Sequence, residues 1–152
     1  MSAEKQCPSC GASNDTLLTN CLFCKSSLPH TDPNSITPEE LVLKCGEWIG
    51  RLSNIRFYPG PKFGIKIQAP PGYKPPMSLN SLIGQDGGGI FIDRAEVVGN
   101  AEKYLALLRV RATTNPQLES TLRHYDEAYS AYKNKKSGGL VGLVKGMLFG
   151  RK

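Results

Sequence analysis

Apolar residues recur at helical spacing in three stretches of this chain. Leu41, Cys45, Trp48 and Leu52 follow one another at steps of 4, 3 and 4, and Ile49 widens their face. That pattern predicts a core-facing amphipathic helix. Thr37 stands where a cap is needed, Pro38 suits the first helical position, and Glu40 completes a capping box. Further on, Val98, Ala101, Leu105, Leu108 and Ala112 step by 3, 4, 3 and 4, with Asp93 as the predicted cap. After Asn115 and Pro116, Leu118, Leu122, Tyr125, Tyr129 and Tyr132 step by 4, 3, 4 and 3. Two such stripes joined by a short turn predict an antiparallel helical hairpin. Its tyrosines keep a polar end, so that edge is expected to be partly wet or to face a partner.

Between the first helix and this hairpin the pattern shortens. Ile55–Tyr58 and Phe63–Ile67 read as the two strands of a hairpin, with Pro59-Gly60-Pro61-Lys62 as its turn. Residues 69–89 are rich in Pro and Gly and predict a long irregular loop, with Gly87-Gly88-Gly89 as a hinge. Ile90-Phe91-Ile92 adds a short strand. Upstream, the two prolines and polar side chains of residues 29–36 read as a linker.

The N-terminal stretch carries the strongest chemistry. Cys7, Cys10, Cys21 and Cys24 form C-x2-C-x10-C-x2-C. Each pair makes a tight knuckle that aims two sulfurs at one ion, and the spacer returns the second knuckle opposite the first. Four thiolates then close a tetrahedron, which predicts one structural zinc ion; iron in the same site is the alternative metal. Gly11 permits a positive φ where the first knuckle tightens. A redox role for one Cys-x-x-Cys needs a βαβ context, and none is predicted. The fifth cysteine, Cys45, falls on the apolar face of the first helix and reads as a small buried hydrophobe.

Cys7-Pro8-Ser9-Cys10-Gly11 and Cys21-Leu22-Phe23-Cys24, followed by Leu28 and Pro29, resemble the short four-cysteine zinc-ribbon family over about residues 5–30. The resemblance implies a structural ribbon that serves as a binding module attached to other segments. The family usually has Gly after its fourth cysteine, where this chain has Lys25.

Charge changes the picture only at the other end. The 19 Lys and Arg exceed the 13 Asp and Glu by six. The excess is Lys133, Lys135, Lys136, Lys145, Arg151 and Lys152, in a stretch without acids. Within it Gly138, Gly142, Gly146 and Gly150 repeat every four residues beside Leu140, Leu143, Val144, Met147, Leu148 and Phe149. A helix of this length spans roughly 20 Å, too short for a hydrocarbon core of about 30 Å. Small residues at this spacing let helices approach closely, which also suits a homo-oligomer. The tail is therefore expected to lie at an anionic membrane surface, in a partner's groove or against a copy of itself, with packing back on its own domain as the alternative. The stretch from Met1 to Gln6 has no apolar signal region, and a cytoplasmic location follows as the expectation, where thiols stay reduced.

No catalytic set stands out. His30 sits in the linker and His124 falls off the apolar stripe, neither beside a nucleophile; Asp126 and Glu127 read as a solvated helix face. The glycine run lacks the Gly-Lys-Ser/Thr of a phosphate loop. The fold class read from the chain is α+β: a zinc ribbon over 1–29, a linker over 30–36, an α+β domain with a helical hairpin over 37–132, and a basic amphipathic tail over 133–152. The function expected is that of a non-enzymatic adaptor or assembly protein that binds protein partners and docks on a membrane surface through its tail. A nucleic-acid-binding ribbon is the alternative, disfavoured because the ribbon has only Lys5 and Lys25 against Glu4 and Asp15. A regulatory subunit of an enzyme complex is the third reading.

Overall fold

The computed structural model describes residues 4–58, 62–68 and 89–149; the side chains of residues 57, 58, 62 and 136–149 fall outside that description. Residues 59–61 of the turn expected over 59–62 and residues 69–88 of the loop expected over 69–89 lie outside the described residues, while Lys62 and Gly89 each begin a strand instead.

The chain is α+β, as the periodicities predict. Strands β1 (Glu4–Gln6) and β2 (Ser13–Asp15) pair antiparallel, with Lys5 opposite Asn14. Helix α1 (Pro38–Ser53) follows. Strands β3 (Arg56–Tyr58), β4 (Lys62–Gln68) and β5 (Gly89–Asp93) form a second antiparallel sheet in the order β3-β4-β5. Its register places Phe57 opposite Phe63 and Ile65 opposite Ile92. Helices α2 (Arg94–Ala112) and α3 (Glu119–Phe149) complete the fold, both packed on α1.

Helix α1 starts where the sequence predicts. The Thr37 hydroxyl accepts from the Glu40 N–H at 3.2 Å. The capping box is different, because Glu40 turns its carboxylate to the Thr16 hydroxyl, 3.1 Å away in the N-terminal module. Leu41, Cys45, Trp48, Ile49 and Leu52 are all buried. Burial pushes the Cys45 thiol up to about 12, with the nearby Asp126 charge adding to it, so this cysteine is a neutral packing group.

The second stripe is rotated from its expected position. The buried residues of α2 are Val97, Ala101, Tyr104, Leu105 and Leu108, while Val98 and Ala112 are only partly covered. A helix clamped between α1, the sheet and α3 buries more than one seam, and the large Tyr104 takes the centre. Asp93 caps α2 through the Ala95 N–H at 2.7 Å. After α2, Asn115 caps a single 3-10 turn, Pro116–Leu118, rather than the first turn of an α-helix. Helix α3 then begins at Glu119, and its backbone runs on through most of the expected tail. Its tyrosines use their polar ends inside the chain. Tyr125 donates to the Val42 carbonyl at 3.2 Å, Tyr129 bonds Glu102, and Tyr132 accepts from Arg94 Nε at 3.1 Å. Asp126, expected on a solvated face, pairs with Arg109.

The expected linker is fastened. Asp32 caps a 3-10 turn over Pro33–Ser35, Ile36 is buried, and the Arg111 guanidinium donates to the carbonyls of Pro33, Asn34 and Ile36. One contiguous hydrophobic core therefore joins Leu17, Leu22 and Leu28 of the N-terminal module to Leu41, Trp48 and Leu105 of the helices. Polar bonds reinforce the joint. The Trp48 indole N–H reaches Asp15 Oδ2 at 2.8 Å, Lys44 Nζ lies 3.0 Å from Asp15 Oδ1, and Lys25 pairs with Glu96 at 2.7 Å. No helix among the described residues is long and apolar enough to cross a membrane.

Candidate metal centre

The two cysteine knuckles are built alike. In the first, Gly11 N–H donates to the Cys7 carbonyl (2.9 Å) and Cys7 N–H to the Ala12 carbonyl (2.9 Å). In the second, Lys25 N–H donates to the Cys21 carbonyl (3.1 Å) and Cys21 N–H to the Ser26 carbonyl (2.8 Å). Each closure needs a left-handed residue four positions after its first cysteine. Gly11 has φ +71° and Lys25 has φ +62°. Lysine thus adopts the conformation that glycine adopts freely, against a Cβ cost of about 1–2 kcal/mol. Its ion pair with Glu96 is half-exposed and returns only part of that.

The knuckles bring four sulfurs together. The Sγ atoms of Cys7, Cys10, Cys21 and Cys24 all lie within 4.8 Å of one another. Across the site, Cys7 and Cys24 are 3.5 Å apart and Cys10 and Cys21 are 3.6 Å apart. Metal–sulfur bonds of about 2.3 Å in a tetrahedron require S–S edges of about 3.8 Å. The residues present therefore fit a four-thiolate metal ion with little movement. Cys7, Cys10 and Cys21 are buried and Cys24 is half-buried.

Two further side chains serve this site. Asn14 is buried between the knuckles; its amide donates to the Ala12 carbonyl (2.8 Å) and Cys21 Sγ (3.5 Å), and its oxygen accepts from Leu22 N–H (2.9 Å). The Ser26 hydroxyl touches Cys24 Sγ (2.9 Å) and Cys7 Sγ (3.2 Å). Cys21 Sγ also accepts from Phe23 N–H at 3.4 Å. Such donors favour thiolates and orient them. Neither Asn14 nor Ser26 is marked by the cysteine spacing, so the sequence reading passes over both.

Burial works against the charged thiolate at Cys7, Cys10 and Cys24. At Cys7 it is outweighed by hydrogen bonds from Ser26 and from the N–H groups of Cys10 and Ser9, which bring the thiol down to about 6. At Cys24 burial is outweighed by hydrogen bonds from Ser26 and Cys10 together, which bring the thiol below its ordinary value. At Cys10 burial prevails and pushes the thiol up to about 12. A metal ion arriving near neutral pH thus meets a mixture of thiolate and thiol and expels the remaining protons.

The expected docking residues are placed less completely. Lys133 and Lys135 are exposed on α3; Lys133 Nζ lies 3.8 Å from Glu102 and 4.7 Å above the Tyr129 ring. The side chains of Lys136, Leu140, Leu143, Val144, Met147, Leu148 and Phe149 lie outside the described residues. Beside this stretch of α3, a groove of about 700 Å³ opens against α1 and the sheet. Ile49, Leu52 and Ile55 line it with Arg94 and Lys135, and Phe63 borders it 48% exposed. Comparison with protein-family models, curated proteins and solved structures finds no match to this chain.

Proposed function

We propose that the chain is a non-enzymatic zinc-ribbon adaptor, one face of which binds a protein partner while the basic end of α3 docks on an anionic membrane surface. The closed set of four sulfurs carries this reading. An all-thiolate tetrahedral donor set suits zinc, with iron as the competing occupant. Four thiolates leave no open position for a catalytic water, so the ion's role is to hold the ribbon's shape.

Charge and groove support the two docking roles. Among the described residues no carboxylate lines the 700 Å³ groove, while Arg94 and Lys135 do. Its apolar lining and cationic edge match a peptide segment that carries apolar side chains beside Asp or Glu. The basic residues from Lys133 onward, with no acid among them, match anionic headgroups.

Co-sedimentation of the zinc-loaded chain with anionic and neutral vesicles tests the membrane half. The proposal expects binding to anionic vesicles alone, weakened by salt, and lost on removal of residues 133–152. Equal sedimentation of the shortened chain overturns the anchor.

A further inference from the structure

A cleft of about 330 Å³ lies where the N-terminal module meets α2. Its apolar base is Leu17, Leu18 and Leu28, all buried. Two ammonium groups line it from different elements, Lys5 from β1 and Lys103 from α2, and His30 lines it as well. Thr19, Ser27 and Thr31 contribute hydroxyls, and among the described residues no Asp or Glu is present in the lining.

Neither lysine belongs to an ion pair among the described residues. Lys5 donates to the Pro29 carbonyl at 2.8 Å and to Thr31 Oγ1 at 3.5 Å, and Lys103 donates to the Leu17 carbonyl. These acceptors are neutral. They satisfy part of each ammonium's three-donor capacity and none of its charge. Asp32, beside Thr31 in sequence, directs its carboxylate to the Asn34 N–H at 2.9 Å. Two like charges thus share one partly desolvated cleft, where their repulsion is stronger than in open water.

We propose that this cleft binds a phosphate-type oxyanion between Lys5 and Lys103, with the threonine hydroxyls as further donors. A dianion there would neutralise both ammonium groups through charge-assisted hydrogen bonds, the strong kind. It would also tie β1 to α2, so occupancy would strengthen the seating of the module on the helices.

Amide-resolved NMR titration of the metal-loaded full chain tests this at constant ionic strength, with inorganic phosphate in one arm and phosphoserine in the other. Saturable shifts centred on Lys5, Thr19, Thr31 and Lys103 are expected. A response to phosphate alone identifies a free oxyanion, and a response in both arms identifies a phosphate group carried on a larger molecule. Lys103→Gln should weaken binding at least about tenfold, while Lys103→Arg keeps it and Lys133→Gln, outside the cleft, leaves it unchanged. Shifts that do not saturate, that centre on the knuckles at Cys10 and Cys24, or that persist unaltered in Lys103→Gln overturn the proposal. Should Lys103→Gln fail to fold, the position of the shifts in the unsubstituted chain decides alone.

Discussion

The indole nitrogen of Trp48 in α1 donates to the carboxylate of Asp15 in β2 at 2.8 Å, across 33 residues of sequence. The other oxygen of Asp15 faces Lys44 Nζ at 3.0 Å, and both side chains of that pair are about nine-tenths buried. One carboxylate therefore satisfies two buried donors and joins the cysteine module to the helical core. Removing Asp15 leaves the Trp48 N–H without its acceptor and Lys44 with only the part-exposed Glu47 carboxylate at 3.2 Å, at a cost of about 1–3 kcal/mol. Asp15→Ala should lose about that much in urea unfolding. Combining it with Lys44→Met should recover the part of the loss that belongs to the ammonium. Simple addition of the two single effects would contradict the coupling.

The same pair has a signature at high pH. Burial lowers the Lys44 pKa, but Asp15 and Glu47 together more than offset it, and Lys44 ends above its ordinary 10.5. A folded-state value above the unfolded one gives stability that is fully present below pH 10.5 and lost as pH rises through the folded value. The stability difference between the unsubstituted chain and Lys44→Met should stay constant from neutral pH to near 10.5 and then shrink. A difference that grows across that range would point to another source.

Two glycines make an internally controlled comparison. A Cβ on Gly64 would land on the Ile92 carbonyl and 2.6 Å from the Phe91 ring, at the end of the β4–β5 ladder where Gly64 stands opposite Asp93. Gly64→Ala should cost at least about 2 kcal/mol. In α2, a Cβ on Gly99 meets nothing within 4 Å, so Gly99→Ala should gain about 0.5–1 kcal/mol. Thermal unfolding of both variants checks the pair.

Tyr104 is fully buried, and its hydroxyl makes no well-formed hydrogen bond among the described residues, with the Leu17 backbone N–H as a weak contact. Burial raises its pKa, with the Asp15 charge adding to that. Deleting a poorly paired buried hydroxyl removes a desolvation cost, so Tyr104→Phe should be neutral or stabilising by about 1 kcal/mol. A large loss in chemical denaturation would mean that the hydroxyl has a partner.

Legibility in the sequence followed the range of the interaction. The cysteine ligands were readable because a knuckle is a local motif, closed within a few residues of chain. The same holds for the start of α1, fixed by Thr37 and Pro38, and for the cap at Asp93. Tyr104 escaped because rotation of α2 is set by helices on either side of it, not by its own period. Ile36 escaped because prolines around it look like linker, while Arg111, far along the chain, supplies the carbonyls' partner. The bond from Asp15 to Trp48 leaves no periodic trace at all. Lys25 was visible as a departure from the usual glycine, and its positive φ shows that the knuckle closes in spite of it.

Cys7, Cys10, Cys21 and Cys24 are placed to hold one metal ion in a closed tetrahedral site. Cobalt(II) titration of the reduced chain, followed by visible absorption, tests whether they do. Tetrahedral thiolate ligation should develop intense visible bands that saturate at one ion per chain, vanish on adding one equivalent of zinc, and survive Cys45→Ser but not Cys21→Ser. Weak octahedral-type absorption, saturation at another stoichiometry, or retention of the bands in Cys21→Ser would contradict it.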